Sequence, residues 1–195
     1  MSNKNVTQPI VDTDIWVFLI QSGFDQRLIQ RYGFIFVSDT VEDEILKWKR
    51  NHGESQSIAV KFEDYKEADK IRVIDYESFD ELEQSIINHQ LEDYGLRHVG
   101  IIEKNKGEFV SLLYALHKEL KIFKTNDRNF LNEIEKSIHH QITITNWDAL
   151  LDKYSNSVKE KAEARRVTKN RQNKMKKQKI QNRDPRWDAL KALVG

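Results

Sequence analysis

Cysteine is absent from this 195-residue chain, which excludes a disulfide framework, thiolate metal ligation and a cysteine nucleophile, and fits a reducing compartment. A metal, if one is bound, must be held by Asp, Glu or His. The seven glycines form neither GxGxxG nor GxxxxGKS/T, so nucleotide binding of the Rossmann or P-loop type is not expected. No apolar run approaches the roughly 18 residues of a membrane span. The opening MSNKNVTQP has no apolar core that would act as a secretion signal. These absences lead to the expectation of a soluble, cytoplasmic protein with no membrane partner. No Ser or His stands out as a catalytic pair, and His139 and His140, at the end of a polar helix, read as solvated.

What is present is bulk and charge. Nine Phe, six Tyr and four Trp supply a core, so wholesale disorder is not expected. The length suits one compact domain, placed at residues 1–152, with an appendage at 153–195. The net charge of +1 conceals a segregation: residues 151–195 hold fourteen Lys/Arg against five Asp/Glu, and the first 150 hold eighteen against twenty-six. An acidic body joined to a basic tail suggests an arm for a polyanion or an acidic surface.

The two prolines, Pro9 and Pro185, stand near the ends, and between them the apolar runs alternate in type. Short strand candidates are Ile10 to Val11, Phe34 to Val37, Ile71 to Ile74, Ile122 to Thr125 and Ile142 to Ile144. Helical periods cover Ile15 to Ile20, Thr40 to Lys49, Phe79 to Tyr94, Glu108 to Leu120, Asn129 to Ile134 and Trp147 to Tyr154. This alternation predicts an α/β fold, a doubly wound parallel sheet of about five strands flanked by helices, with a basic helical C-terminal tail. Ligands of such sheets bind beyond the carboxyl ends of the strands.

Carboxylates stand at those positions. Asp12 and Asp14 directly follow the first strand, where each also suits a helix cap. Glu44 lies three residues after Val41 and four before Trp48, along the apolar stripe of its helix. An ionised group there needs a cation or a donor. Glu108 lies on the margin of a buried face marked by Leu112 and Ala115, after what reads as a sharp turn at Gly107, and Asp127 closes the strand that ends at Thr125. Several carboxylates converging on one cleft repel one another unless a cation compensates. All-oxygen ligation suits Mg²⁺ or Mn²⁺, and a metal-bound water attacks phosphodiesters in line, so the chemistry indicated is phosphodiester hydrolysis.

In order and spacing these segments resemble the PIN domain nucleases, a family that includes the ribonuclease toxins of bacterial toxin–antitoxin pairs. Ile10-Val11-Asp12-Thr13 looks like the first motif, and Ser38 to Leu46, with Glu44, like the second. Gly107-Glu108-Phe109-Val110-Ser111-Leu112-Leu113-Tyr114-Ala115 resembles the variant third, and Thr125-Asn126-Asp127-Arg128-Asn129-Phe130 is similar to the fourth. The resemblance covers roughly residues 9 to 150 and implies a five-stranded parallel sheet. It further implies an endoribonuclease in which Asp12, Glu44, Glu108 and Asp127 hold Mg²⁺ or Mn²⁺ and activate water, with Thr125 and Asn126 in support. Asp14 stands where the family more often has Asn or Ser, and is either an extra ligand or a cap. The stretch from Gly53 to Lys106 is long and highly charged for the middle of such a domain.

Two other readings compete. Asp12-Thr13-Asp14 also satisfies the Asp-x-Asp opening of haloacid dehalogenase-like phosphatases, but the later acidic motif those enzymes need is not supplied. The other is a catalytically inactive PIN-like scaffold that binds through its basic tail. In that tail Arg165, Arg166, Lys169, Arg171, Lys174, Lys176, Lys177 and Lys179 are candidate contacts to RNA phosphates, giving a non-specific grip without aromatic stacking. Few large apolar residues occur there, so a packed core is not expected. The segment from Asp184-Pro185 restarts a helix whose stripe of Trp187, Leu190 and Val194 must dock on the domain, a second copy or an antitoxin.

Overall fold

The structure is a computed structural model that describes residues 7–101, 103, 106–126 and 141–181, without the side chains of 175, 176 and 178–181. Asp127, His139, His140, the helix expected at 129–134 and the stripe beginning at Asp184 lie outside the described residues, as do the side chains of Lys176 and Lys179.

Five parallel strands form one sheet: β1 (Ile10–Val11), β2 (Ile35–Ser38), β3 (Ile71–Ile74), β4 (Ile122–Lys124) and β5 (Thr143–Thr145), in the order β3-β2-β1-β4-β5. β1 is central, with Ile10 in register with Phe36 on one side and Phe123 on the other. Helices α1 (Thr13–Ser22), α2 (Asp25–Tyr32), α3 (Asp39–Leu46), α4 (Glu54–Glu67), α5 (Glu81–Asp93), α6 (Gly107–His117), α7 (Trp147–Tyr154) and α8 (Val158–Gln181) cover it. The expected architecture is what the chain adopts.

Alternation along the strands divides the core between the two faces of the sheet. Val11, Ile35, Val37 and Ile71 join Trp16, Leu28, Ile45, Phe62 and Leu151 on one face. Ile10, Ile74 and Phe123 join Ile87, Leu91, Val110 and Tyr114 on the other. Three strands end in a capping side chain that turns the chain into its helix. Asp12 accepts from the amide of Ile15 at 2.9 Å, Ser38 from that of Val41 at 3.3 Å and Asn146 from that of Ala149 at 2.9 Å. At the far end of α1, Gly23 has φ 75°, a left-handed cap at which a side chain would be strained.

Two helices escaped the periodicity reading. In α2 the buried positions are Asp25, Leu28 and Tyr32, and in α4 they are Ile58, Ala59 and Phe62; a charged residue in one stripe and a small one in the other leave little apolar signal. Asp25 braces the two helices: it is 2% exposed, receives the Tyr65 hydroxyl at 2.5 Å and pairs with Lys61 at 3.3 Å. Asp25→Ala is expected to leave that hydroxyl without its acceptor and cost about 1–3 kcal/mol, read as a lower midpoint in urea denaturation.

The tail corrects another expectation. The first half of α8 is packed, with Ala164 in the core and Thr168 buried beside it. Small residues suffice because they let the helix approach α1 closely, and the Thr168 hydroxyl is satisfied by donating to the Ala164 carbonyl at 3.0 Å. Ion pairs fasten the same stretch: Arg27 with Glu160 at 2.6 Å, Lys161 with Asp152, and Arg165 with Asp148 at 2.6 Å.

One buried cation went unremarked in the sequence. Lys124, 1% exposed, points into the first face of the core from β4, its Nζ 5.4 Å from the centre of the Tyr32 ring. No carboxylate among the described residues pairs with it. Burial, with the charge of Lys153 adding to it, pushes its ammonium down to about 8.

Candidate active site

Strand order reverses on either side of β1, and the carboxyl ends of β1 and β4 form the crevice where ligands of such sheets bind. Asp12 lies at that point. Its amide donates to the Lys124 carbonyl at 3.1 Å, which ties it to the end of β4, and its side chain is 1% exposed. Oδ1 caps α1, whereas Oδ2 is buried without a hydrogen bond of ordinary geometry. Burial pushes the Asp12 carboxyl well above the usual range; the nearby Thr125 hydroxyl and the Ile15 amide draw it back, and the charges of Asp14 and Glu108 push it further up.

The causes of that shift place the other residues. Asp14, exposed in the first turn of α1, and Glu108, half-buried in the first turn of α6, are both electrostatic neighbours of Asp12. Thr125 is fully buried at the end of β4, facing Asp12, and Asn126 follows half-buried. Glu44 differs from the expectation of a buried position. It is exposed, on the margin of the α3 stripe whose buried members are Val41 and Ile45, and it accepts the Thr13 hydroxyl at 2.8 Å. A Cβ added to Gly107 would lie 3.9 Å from Glu44 Oε2, so Glu44 also borders the start of α6. Gly107 itself is the first helical residue and has ordinary space for a Cβ, not the sharp turn expected.

Several supporting residues had no signal in the sequence. Ser38 and Ser111 share a buried hydroxyl contact of 2.9 Å that pins α6 to the end of β2. Asp39 accepts from the Tyr76 amide at 2.7 Å and from the Tyr114 hydroxyl at 3.2 Å, and its partial burial raises its carboxyl. Lys106, 2% exposed, donates to the carbonyls of His98 and Ile101, the latter at 2.9 Å, and so anchors the loop from which α6 starts. Burial lowers its ammonium. Ser38 and Asp39 matter through partners dozens of residues away, and Lys106 through the carbonyls of the loop before it.

The donor set consists of hard oxygens and suits Mg²⁺ or Mn²⁺, and a buried carboxylate oxygen without a hydrogen bond of ordinary geometry is what such an ion would satisfy. Among the described residues, however, no three acidic or imidazole side chains stand close enough to hold an ion as they are placed.

No family model matches the sequence, and no curated protein matches it. Solved structures do. A chain of VapBC from Salmonella typhimurium, solved bound to DNA, aligns with a TM-score of 0.50 at 15% identity over 73% of this chain and 99% of that one. A chain of VapBC2 from Rickettsia felis, solved with a DNA fragment from the promoter, aligns with a TM-score of 0.46 at 20% identity over 71% and 98%. At such identities the likeness concerns the fold alone. Strand order, the helices on both faces and the superposition on the Salmonella chain together give this chain the PIN-domain fold that its motifs resemble.

Proposed function

We propose that the chain is a metal-dependent endoribonuclease, acting as a toxin or defence factor, that hydrolyses RNA phosphodiester bonds at the carboxyl edge of β1 and β4. The observation that carries the reading is the buried Asp12 carboxylate, whose Oδ2 has no hydrogen bond of ordinary geometry, with the Thr125 hydroxyl near it and Asp14 and Glu108 as its charged neighbours. A folded chain maintains such a concentration of negative charge at a cost that a divalent cation would offset. Asp12, Glu108 and Glu44 would hold Mg²⁺ or Mn²⁺, Asp127 completing the set and Asp14 able to join it, with Thr125 and Asn126 in support. The bound ion supplies a water of lowered pKa and charge stabilisation at the scissile phosphate. Asp12 is rigidly placed for this by the cap that Oδ1 makes, whereas Glu44 is held in reserve on Thr13 and would turn toward the ion. The basic residues of α8 supply grip on the RNA, and an antitoxin protein or a second copy is the proposed protein partner.

Incubating the full chain with total RNA is expected to yield fragments with Mn²⁺ or Mg²⁺ and none with EDTA. The separation of the acidic groups as they stand favours the competing reading, an inactive PIN fold that serves as a nucleic-acid scaffold. Intact RNA at every ion concentration, with RNA binding retained, would establish that reading.

A further inference from the structure

The Lys and Arg residues of α8 differ in what they touch. Arg165 pairs with Asp148 and Arg171 with Glu54 at 3.4 Å, both on the body, and Arg166 pairs with Glu163 of its own helix at 2.6 Å. Lys169, Lys174 and Lys177 are exposed and pair with no described carboxylate. At about 100° per residue these three fall within an arc of about 140°. That arc lies opposite Ala164, Thr168 and Arg171, the side by which the helix meets the domain.

The pairings also fix the direction of the helix. Passing from Lys161 to Arg165 along α8, the partners step back from Asp152 to Asp148 along α7, so the two helices are antiparallel. α7 begins directly after β5, which puts Asp148 at the carboxyl edge of the sheet, the edge that carries Asp12. Beyond Arg165, α8 continues to Gln181, a further 24 Å or so at about 1.5 Å per residue. The lysines therefore stand on a strut that rises past the edge where the carboxylates are, while Arg165 and Arg171 secure it to the body.

We infer that α8 is a rigid arm on which Lys169, Lys174 and Lys177 hold the phosphate backbone of a single-stranded RNA outside the acidic cleft, so that the substrate is a polynucleotide spanning cleft and arm. The inference rests on the RNA reading above. Its chemistry is charge alone: three ammonium groups on one helix face, without stacking rings, bind phosphates without reading sequence. A cleft lined by carboxylates repels an approaching polyanion, and a cationic rail beside it restores capture.

Binding of fluorescently labelled uridine oligomers of 6 and 24 nucleotides to the full chain, in EDTA so that no cleavage intervenes, tests the inference. The native chain is expected to bind the longer oligomer more than tenfold tighter. The triple variant K169Q/K174Q/K177Q should lose that length preference, and its log affinity against log salt should flatten by about 2, three contacts at roughly 0.7 each. K169R/K174R/K177R, which keeps the charges, should restore both. Equal salt slopes for the native chain and the triple variant would overturn the inference, and would leave the arm to an acidic protein surface. Because nothing is cleaved in EDTA, a failure of the nuclease reading appears separately, as intact RNA when Mn²⁺ is added.

Discussion

Asp12→Asn is expected to abolish RNA cleavage while making the metal-free protein more stable. The amide keeps an oxygen able to cap α1 in place of Oδ1, and Asn is as good a cap as Asp. What disappears is a negative charge that is 1% exposed, has one oxygen without a hydrogen bond of ordinary geometry, and has Asp14 and Glu108 as charged neighbours. Relief of that strain should raise stability in EDTA by about 1–3 kcal/mol, seen as a higher melting temperature. Cleavage should fall more than roughly 100-fold, since outer-shell partners alone cost 10–100-fold when removed from a metal site. A third readout separates a ligand from a structural residue. Mn²⁺ at about 100 times its dissociation constant should stabilise the native chain by about 2.7 kcal/mol and leave the variant unmoved. If Mn²⁺ raises both melting curves equally, Asp12 is not a ligand. If the variant melts lower in EDTA, the charge at Asp12 was compensated within the fold.

The second large effect belongs to Lys124. Its ammonium falls from an ordinary 10.5 to about 8 on folding, so the unfolded chain binds the extra proton between those values. Stability therefore rises with pH from about 8 upward, and below 8 the fold carries the full cost of charging a buried amine. The difference corresponds to about 3 kcal/mol. The rise is limited near pH 10. There the burial-raised phenols of Tyr65, Tyr114 and Tyr154 stay protonated in the fold while those of the unfolded chain ionise, and stability declines again. Lys124→Met, which keeps the apolar stem against Tyr32, should raise the urea midpoint at pH 7 and flatten the climb between pH 8 and 10. An unaltered pH profile in that variant would show that Lys124 is solvated by motion of the surrounding core.

The strands were legible because a sheet covered on both faces makes its strands near-continuous apolar runs, as in Ile10-Val11 and Ile71 to Ile74. Asp12 was legible for the complementary reason: a carboxylate directly after such a run has to stand at the strand's end. Glu44 was legible as a residue of interest and misplaced in burial, because a position about 80° from the centre of a helical stripe lies inside or outside according to what packs there, here Thr13 and the start of α6. α2 and α4 carry weak stripes because one buried position of α2 is the charged Asp25 and one of α4 is the small Ala59, so neither shows a continuous apolar signal. The packing of α8 was missed because Ala164 and Thr168 carry little hydrophobic signal, although small size is what brings the two helices together.

Local pattern was enough for the strand and helix alternation, the acidic body with its basic tail, and the order of the four acidic motifs, since each depends on residues a few positions apart. The pairing of Asp25 with Tyr65, the anchoring of Lys106 on two carbonyls, the burial of Lys124 without an acid among the described residues, and on α8 the anchoring of Arg165 and Arg171 with Lys169, Lys174 and Lys177 left exposed came from the folded chain. Whether a charge is satisfied, stranded or free is a property of its neighbours in space, and the fold, not the local pattern, brings those neighbours to it.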